Sequence, residues 1–177
     1  MSIEEQYNRA KDNLTGRLFA PYQREGVLWL LSMENQTSGV RAGILADEMG
    51  LGKSIQLIAK MLGNPKPRTL LIVPKSIITQ WVEEIAKFAP TLTVGVFDGP
   101  GRKLGDHDVT IAPYSLLSVK GEKAEAVTPL HGVRWDRVVL DEAHEIRNKS
   151  SKLSKSVCRL QAGIKWIVTG TPVFNSM

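Results

Sequence analysis

The chain has 177 residues, 42% of them apolar and 23% charged, enough for one globular domain with a real core. Lysine and arginine total 23 against 18 acids, and this net +5 is ordinary solubility charge unless motifs also point to a polyanionic partner. No apolar run reaches the roughly 18 residues of a membrane-spanning helix. The polar, acidic start is no secretory signal, and the single cysteine, Cys158, excludes an internal disulfide or a cysteine-zinc cluster. We expect an intracellular, reducing setting and no membrane partner.

Residues 1–17 are polar and read as a flexible, loosely packed segment. Pro21 suits a first helical position, and Val27, Leu28, Leu30 and Leu31 give residues 22–33 an apolar helical face. A short apolar run at 43–46 leads into a glycine-rich turn and a helix over 54–62, stopped by Gly63-Asn64-Pro65. Residues 69–73 read as a buried strand and 76–88 as an amphipathic helix. Strands are expected over 92–97, 109–112, 137–140 and 165–168, and a helix over 150–160. Residues 98–108 and 120–129 read as surface loops. Alternating strands and helices predict an α/β fold, a mainly parallel sheet with helices on both faces. No helix follows the last strand, so the chain reads as a piece of a longer protein. Trp29, Trp81, Trp135 and Trp166 read as core, Cys158 as buried or incidental, and His107 and His131 as lone loop histidines.

Two constellations carry chemistry. Asp47-Glu48-Met49-Gly50-Leu51-Gly52-Lys53-Ser54 joins a strand to a helix, the setting of a phosphate-binding loop. Gly50 and Gly52 would let main-chain N–H groups approach phosphate, and the helix start adds positive partial charge. Lys53 would reach the β- and γ-phosphates and Ser54 would ligate Mg²⁺. The general pattern wants glycine where Asp47 stands. Next, Asp141-Glu142-Ala143-His144 ends an apolar strand, where sites of parallel sheets lie. Asp141 would hold Mg²⁺ directly or through water, and Glu142 would orient and polarise the attacking water. His144 is either a surface histidine or a link to later motifs.

The order of these motifs resembles the Snf2 family of superfamily 2, over residues 18–175. Asp47 to Ser54 looks like its first motif, including the Asp that breaks the general rule, and Asp141 to His144 like its second. Thr169-Gly170-Thr171-Pro172 looks like its third. Val73-Pro74-Lys75-Ser76, with Trp81 five residues on, looks like motif Ia, Tyr114-Ser115 like motif Ib, and Tyr22-Gln23 like the adenine-reading Gln motif. DEAH-box RNA helicases share the second motif but usually carry Ser-Ala-Thr as the third. Ile146-Arg147-Asn148 after the second motif leans toward the repair-type subgroup that often bears a RING finger.

The resemblance implies a RecA-like ATP-binding lobe over 18–177, with ATP and Mg²⁺ as cofactors and double-stranded DNA, bare or in chromatin or other DNA-bound complexes, as partner. Gln23 would read adenine with Arg24 in support. Asp47, Glu48, Met49, Gly50, Leu51, Gly52, Lys53, Ser54 and His144 would line the nucleotide site. Pro74, Lys75, Ser76, Tyr114 and Ser115 would meet the DNA backbone, although Ser76 could equally cap its helix and Tyr114 could be core. Arg147, Lys149, Lys152 and Lys155 read by default as a solvated helix face. Thr169, Gly170 and Thr171 would couple ATP to DNA and to a second lobe, absent here, whose arginines hydrolysis needs. A monomer is expected, nuclear if the source is eukaryotic, or virus-encoded. The competing readings are a DEAH-type RNA helicase lobe, a non-catalytic nucleic-acid-binding module on the same fold, and a P-loop switch or kinase, which the Gln and Thr-Gly-Thr-Pro motifs disfavour.

Overall fold

The computed structural model describes residues 1–16, 21–37, 39, 41–46, 52–117, 128–146 and 152–170. Six strands form one sheet: β1 (Ala42–Leu45), β2 (Thr69–Val73), β3 (Val94–Val96), β4 (Val109–Pro113), β5 (Arg134–Leu140) and β6 (Gln161–Val168). Their order across the sheet is β1-β6-β5-β2-β4-β3, and every neighbouring pair is parallel. All carboxyl ends therefore lie along one edge, where a parallel sheet places its site.

The helices are α1 (Ile3–Asn13), α2 (Pro21–Glu34), α3 (Lys53–Gly63), α4 (Ile78–Phe88) and α5 (Lys152–Cys158). They cover both faces, as the alternating pattern predicts, but unevenly. Leu71, Val73, Ile111, Val139, Trp166 and Val168 point into a core shared with α1 to α4. Their chain neighbours Leu70, Ile72, Ala112, Val138 and Leu140 point the other way, into a core completed by 3₁₀ turns and Val157 of α5. The alternation is the two-residue period of a strand buried on both faces.

The amino-terminal segment differs from expectation. Ser2 accepts the N–H of Glu5 at 3.2 Å and the Glu5 carboxylate accepts the N–H of Ser2 at 2.7 Å, a capping box that starts α1. Gln6, Tyr7 and Ala10 are buried, and a Cβ on Gly63 would lie 2.7 Å from the Gln6 carbonyl. Only glycine lets α3 approach α1 so closely. Thr15 N–H then donates to the Phe88 carbonyl at 2.8 Å and ties the segment to α4.

The structure corrects the readings of Trp29 and His131, and of the two readings of Cys158 it rules out burial. Trp29 is 41% exposed, because the buried stripe of α2 runs through Gln23, Val27, Leu30, Leu31 and Glu34 and leaves position 29 off it; its ring only meets the edge of Trp166, at 5.6 Å. Cys158 is exposed at the end of α5. His131 is not alone: it contacts Thr128 and reaches the Ser156 carbonyl at 2.9 Å. Among the described residues no helix is long and apolar enough to cross a membrane.

Candidate nucleotide site

Gly52 precedes α3 with φ +75°, a left-handed conformation that glycine adopts without strain. A Cβ there would lie 2.4 Å from the Gln23 amide nitrogen, so the glycine also makes room for Gln23 to lie against the turn. Gln23 is 6% exposed, on the buried stripe of α2. Lys53 and Ser54 form the first turn of α3. Asp47, Glu48, Met49, Gly50 and Leu51 lie outside the described residues, as do Arg147, Lys149 and Thr171.

β5 delivers the acids to the same edge. The Asp141 N–H donates to the Ile72 carbonyl at 2.9 Å and extends the pairing with β2. Its carboxylate accepts the Trp81 indole N–H at 2.8 Å and the Glu142 N–H at 2.9 Å. Burial pushes the Asp141 carboxyl above its ordinary range and the Glu142 charge adds to this, against the two N–H donors and the Lys53 ammonium. Glu142 has φ +50°, the one non-glycine positive φ among the described residues, and it turns the chain sharply off the strand. Its carboxylate meets His144 Nδ1 at 3.1 Å.

Lys53, Ser54, Asp141, Glu142 and His144 border one cleft of about 630 Å³. Pro74, Ser76, Trp81 and Glu84 also line it. One carboxylate and one hydroxyl beside a lysine fit an ion whose remaining ligands are phosphate oxygens and water, the habit of Mg²⁺. The carboxylate oxygens of Asp141 keep acceptor capacity beyond the bonds described.

Other expected residues are placed less simply. Thr169 is buried, and its N–H donates to the Leu45 carbonyl at 3.1 Å, so the third motif abuts the strand that feeds the phosphate loop. Gly170 follows it. Arg24 turns to α1, where it pairs with Glu4 at 3.1 Å and stacks on Tyr7. Lys75 and Ser76 are exposed, in a 3₁₀ turn (Lys75–Ile77) that precedes α4 and lacks a side-chain cap, so Ser76 does not serve as one. Lys75 pairs with Asp98 at 3.1 Å. Ser115 is exposed, but Tyr114 is 4% exposed and its hydroxyl donates to the Asp141 carbonyl at 2.7 Å. Sequence reasoning places Trp81 in the core and misses its indole bond, because helical periodicity reports which face is buried and not what the buried face meets.

A parallel sheet with a lysine-bearing turn and an acidic strand end on one edge defines a nucleotide-binding lobe of RecA-like fold. Residues 22–177 match the SNF2-related domain, and the chain belongs to that family. It is 35% identical to the ISWI chromatin-remodeling complex ATPase ISW1 of Saccharomyces cerevisiae, over 99% of this chain and 16% of that protein. It is 36% identical to the DNA excision repair protein ERCC-6-like of Danio rerio, over 88% of this chain and 11% of that protein. It therefore spans less than a fifth of either relative. Among solved structures, the SWI2/SNF2 ATPase core of Sulfolobus solfataricus in complex with double-stranded DNA superposes with a TM-score of 0.79 at 35% identity, over 93% of this chain and 34% of that one. These relatives span remodelling and repair proteins, so they do not single out the RING-bearing repair type.

Proposed function

We propose that this chain is the ATP-binding lobe of a motor that couples ATP hydrolysis to movement along, or remodelling of, double-stranded DNA. The observation that carries the reading is the meeting of Lys53 and Asp141 across one cleft, from the start of α3 and the end of β5. Lys53 binds the β- and γ-phosphates, and Gly52 gives the main chain room to approach them. Ser54 and Asp141 hold Mg²⁺, which when bound offsets the charge of the phosphates. Glu142 orients the attacking water and takes its proton. Gln23, lying against Gly52, reads the adenine edge.

The DNA contacts assigned to motif Ia fall on the exposed Lys75 and Ser76 with Pro74, beside an uncapped helix start that suits a phosphate oxygen. With the Tyr114 ring buried, the contact of motif Ib falls to Ser115. Thr169, Gly170 and Thr171 link the nucleotide to a second lobe, whose arginines are expected to supply about 10³ to 10⁵ in rate. The place of action is nuclear if the source is eukaryotic. The duplex DNA named for the archaeal relative supports DNA over RNA as the track.

The test is made on the parent protein with its second lobe. ATP hydrolysis stimulated by duplex DNA, together with displacement of a third strand from a triplex, is the expected result. Stimulation by duplex RNA with strand separation, and none by duplex DNA, would overturn it in favour of an RNA helicase.

A further inference from the structure

Asp141 is held at its strand end by groups far away in the sequence. Trp81, on α4, donates its indole N–H to Asp141 Oδ2 at 2.8 Å across 60 positions. Tyr114, just after β4, donates its hydroxyl to the Asp141 carbonyl at 2.7 Å across 27 positions. Both donors are shielded from water, at 3% and 4% exposure. An indole has one donor and no acceptor, so a buried tryptophan makes one polar bond at most. Trp81 makes it to the carboxylate that borders the nucleotide cleft. The second carboxylate oxygen accepts the Glu142 N–H at 2.9 Å, so two bonds from different directions set the carboxylate plane.

We propose that Trp81 and Tyr114 are positioning residues for the ion-binding carboxylate: Trp81 sets the orientation of the Asp141 side chain, and Tyr114 anchors the main chain that carries it. This rests on the reading of Asp141 as an Mg²⁺ ligand. Ligating carboxylates depend on such outer partners, because an acceptor free to rotate must be ordered each time an ion binds. The two donors are independent in sequence and converge on one residue, whereas tryptophan and tyrosine needed only to fill space would be matched by phenylalanine at both places.

The experiment uses this whole chain and a fluorescent ADP, titrated first in EDTA and then with rising Mg²⁺. Trp81→Phe and Tyr114→Phe keep the rings and remove the donors; Asp141→Asn marks the carboxylate itself. For Trp81→Phe the Mg²⁺ concentration that gives half the metal-dependent tightening is expected to rise about 10-fold or more, the usual loss when an outer partner of a metal ligand is removed. Affinity in EDTA should stay at the level of the unaltered chain. Tyr114→Phe should shift the same midpoint in the same direction. Equal weakening with and without Mg²⁺, or no shift in either variant, would overturn the positioning role. If Asp141→Asn keeps its full metal dependence, the ligand reading falls and the proposal with it. If Asp141→Asn loses that dependence while both phenylalanine variants behave like the unaltered chain, only the positioning role falls. Should Trp81→Phe fail to fold by circular dichroism, Tyr114→Phe decides the matter by itself.

Discussion

Arg137 on β5 and Glu34 at the end of α2 form a two-pronged ion pair with both side chains fully buried, 103 positions apart in the chain. Lys60 joins the same carboxylate at 3.1 Å, and Trp166 and Asn64 donate to it at 2.8 and 2.7 Å. One carboxylate thus faces two buried cations, between α2, α3 and the sheet. Burial opposes its charge, but Lys60 and Arg137 prevail and bring Glu34 down to about 2.

Replacing Glu34 with glutamine keeps the shape and removes the only negative charge among these three groups. Lys60 and Arg137 are then left buried and uncompensated, and the expected loss is about 3 to 5 kcal/mol of unfolding free energy. Urea denaturation checks it; an unchanged midpoint would mean that the cluster relaxes freely.

The same cluster predicts a pH profile. Burial, reinforced by Arg137 and opposed by Glu34, brings Lys60 from its ordinary 10.5 down to about 7. The unfolded chain holds that proton up to about 10.5 and the folded chain releases it near 7, so stability rises with pH between those values. Glu34 works at the acid end: its folded value near 2 against an ordinary 4.5 gives stability that is full above 4.5 and lost as the pH falls toward 2. Lys60→Met should flatten the alkaline rise and shrink the acid loss without abolishing it, because Lys60 and Arg137 share the work of holding Glu34 down; both are read as urea midpoints from pH 3 to 10 (roughly the span of the two shifts). An alkaline rise as steep in the variant as in the parent chain would assign that slope to another group.

In the nucleotide site, Lys53→Ala removes a charge-assisted bond to phosphate. ATP affinity is expected to fall about 10- to 100-fold by calorimetry. Unchanged affinity would contradict the phosphate-loop assignment. Glu142→Gln in the parent protein should bind ATP normally and lose about 10² to 10⁴ in turnover, the usual contribution of a positioned base.

Gln23→Ala should weaken ATP about tenfold, the worth of a well-made buried amide bond, and leave GTP unaffected. Competition between the two nucleotides measures it. Equal weakening of both would indicate that Gln23 only packs against Gly52 and does not read the base.

Much of this fold is legible along the chain because its signals are local. The apolar run over β2, the glycine-lysine-serine turn and the acids after β5 each sit within a few residues, and strand, turn and helix periodicities report them directly. The capping box of Ser2 and Glu5 was equally local, yet the polar composition of the segment obscured it.

The sequence by itself determined which segments become strands and helices, and which carry lysine, serine and acids at their ends. Tertiary structure alone decided that β6 lies between β1 and β5, so that Thr169 abuts Leu45. It alone decided that Trp81 reaches Asp141 and that Glu34 meets Arg137. The physical reason is the range of the forces involved. Periodicity and turn chemistry act between residues a few positions apart, whereas a hydrogen bond across 60 or 103 positions exists only after strand order and helix packing bring its partners within 3 Å.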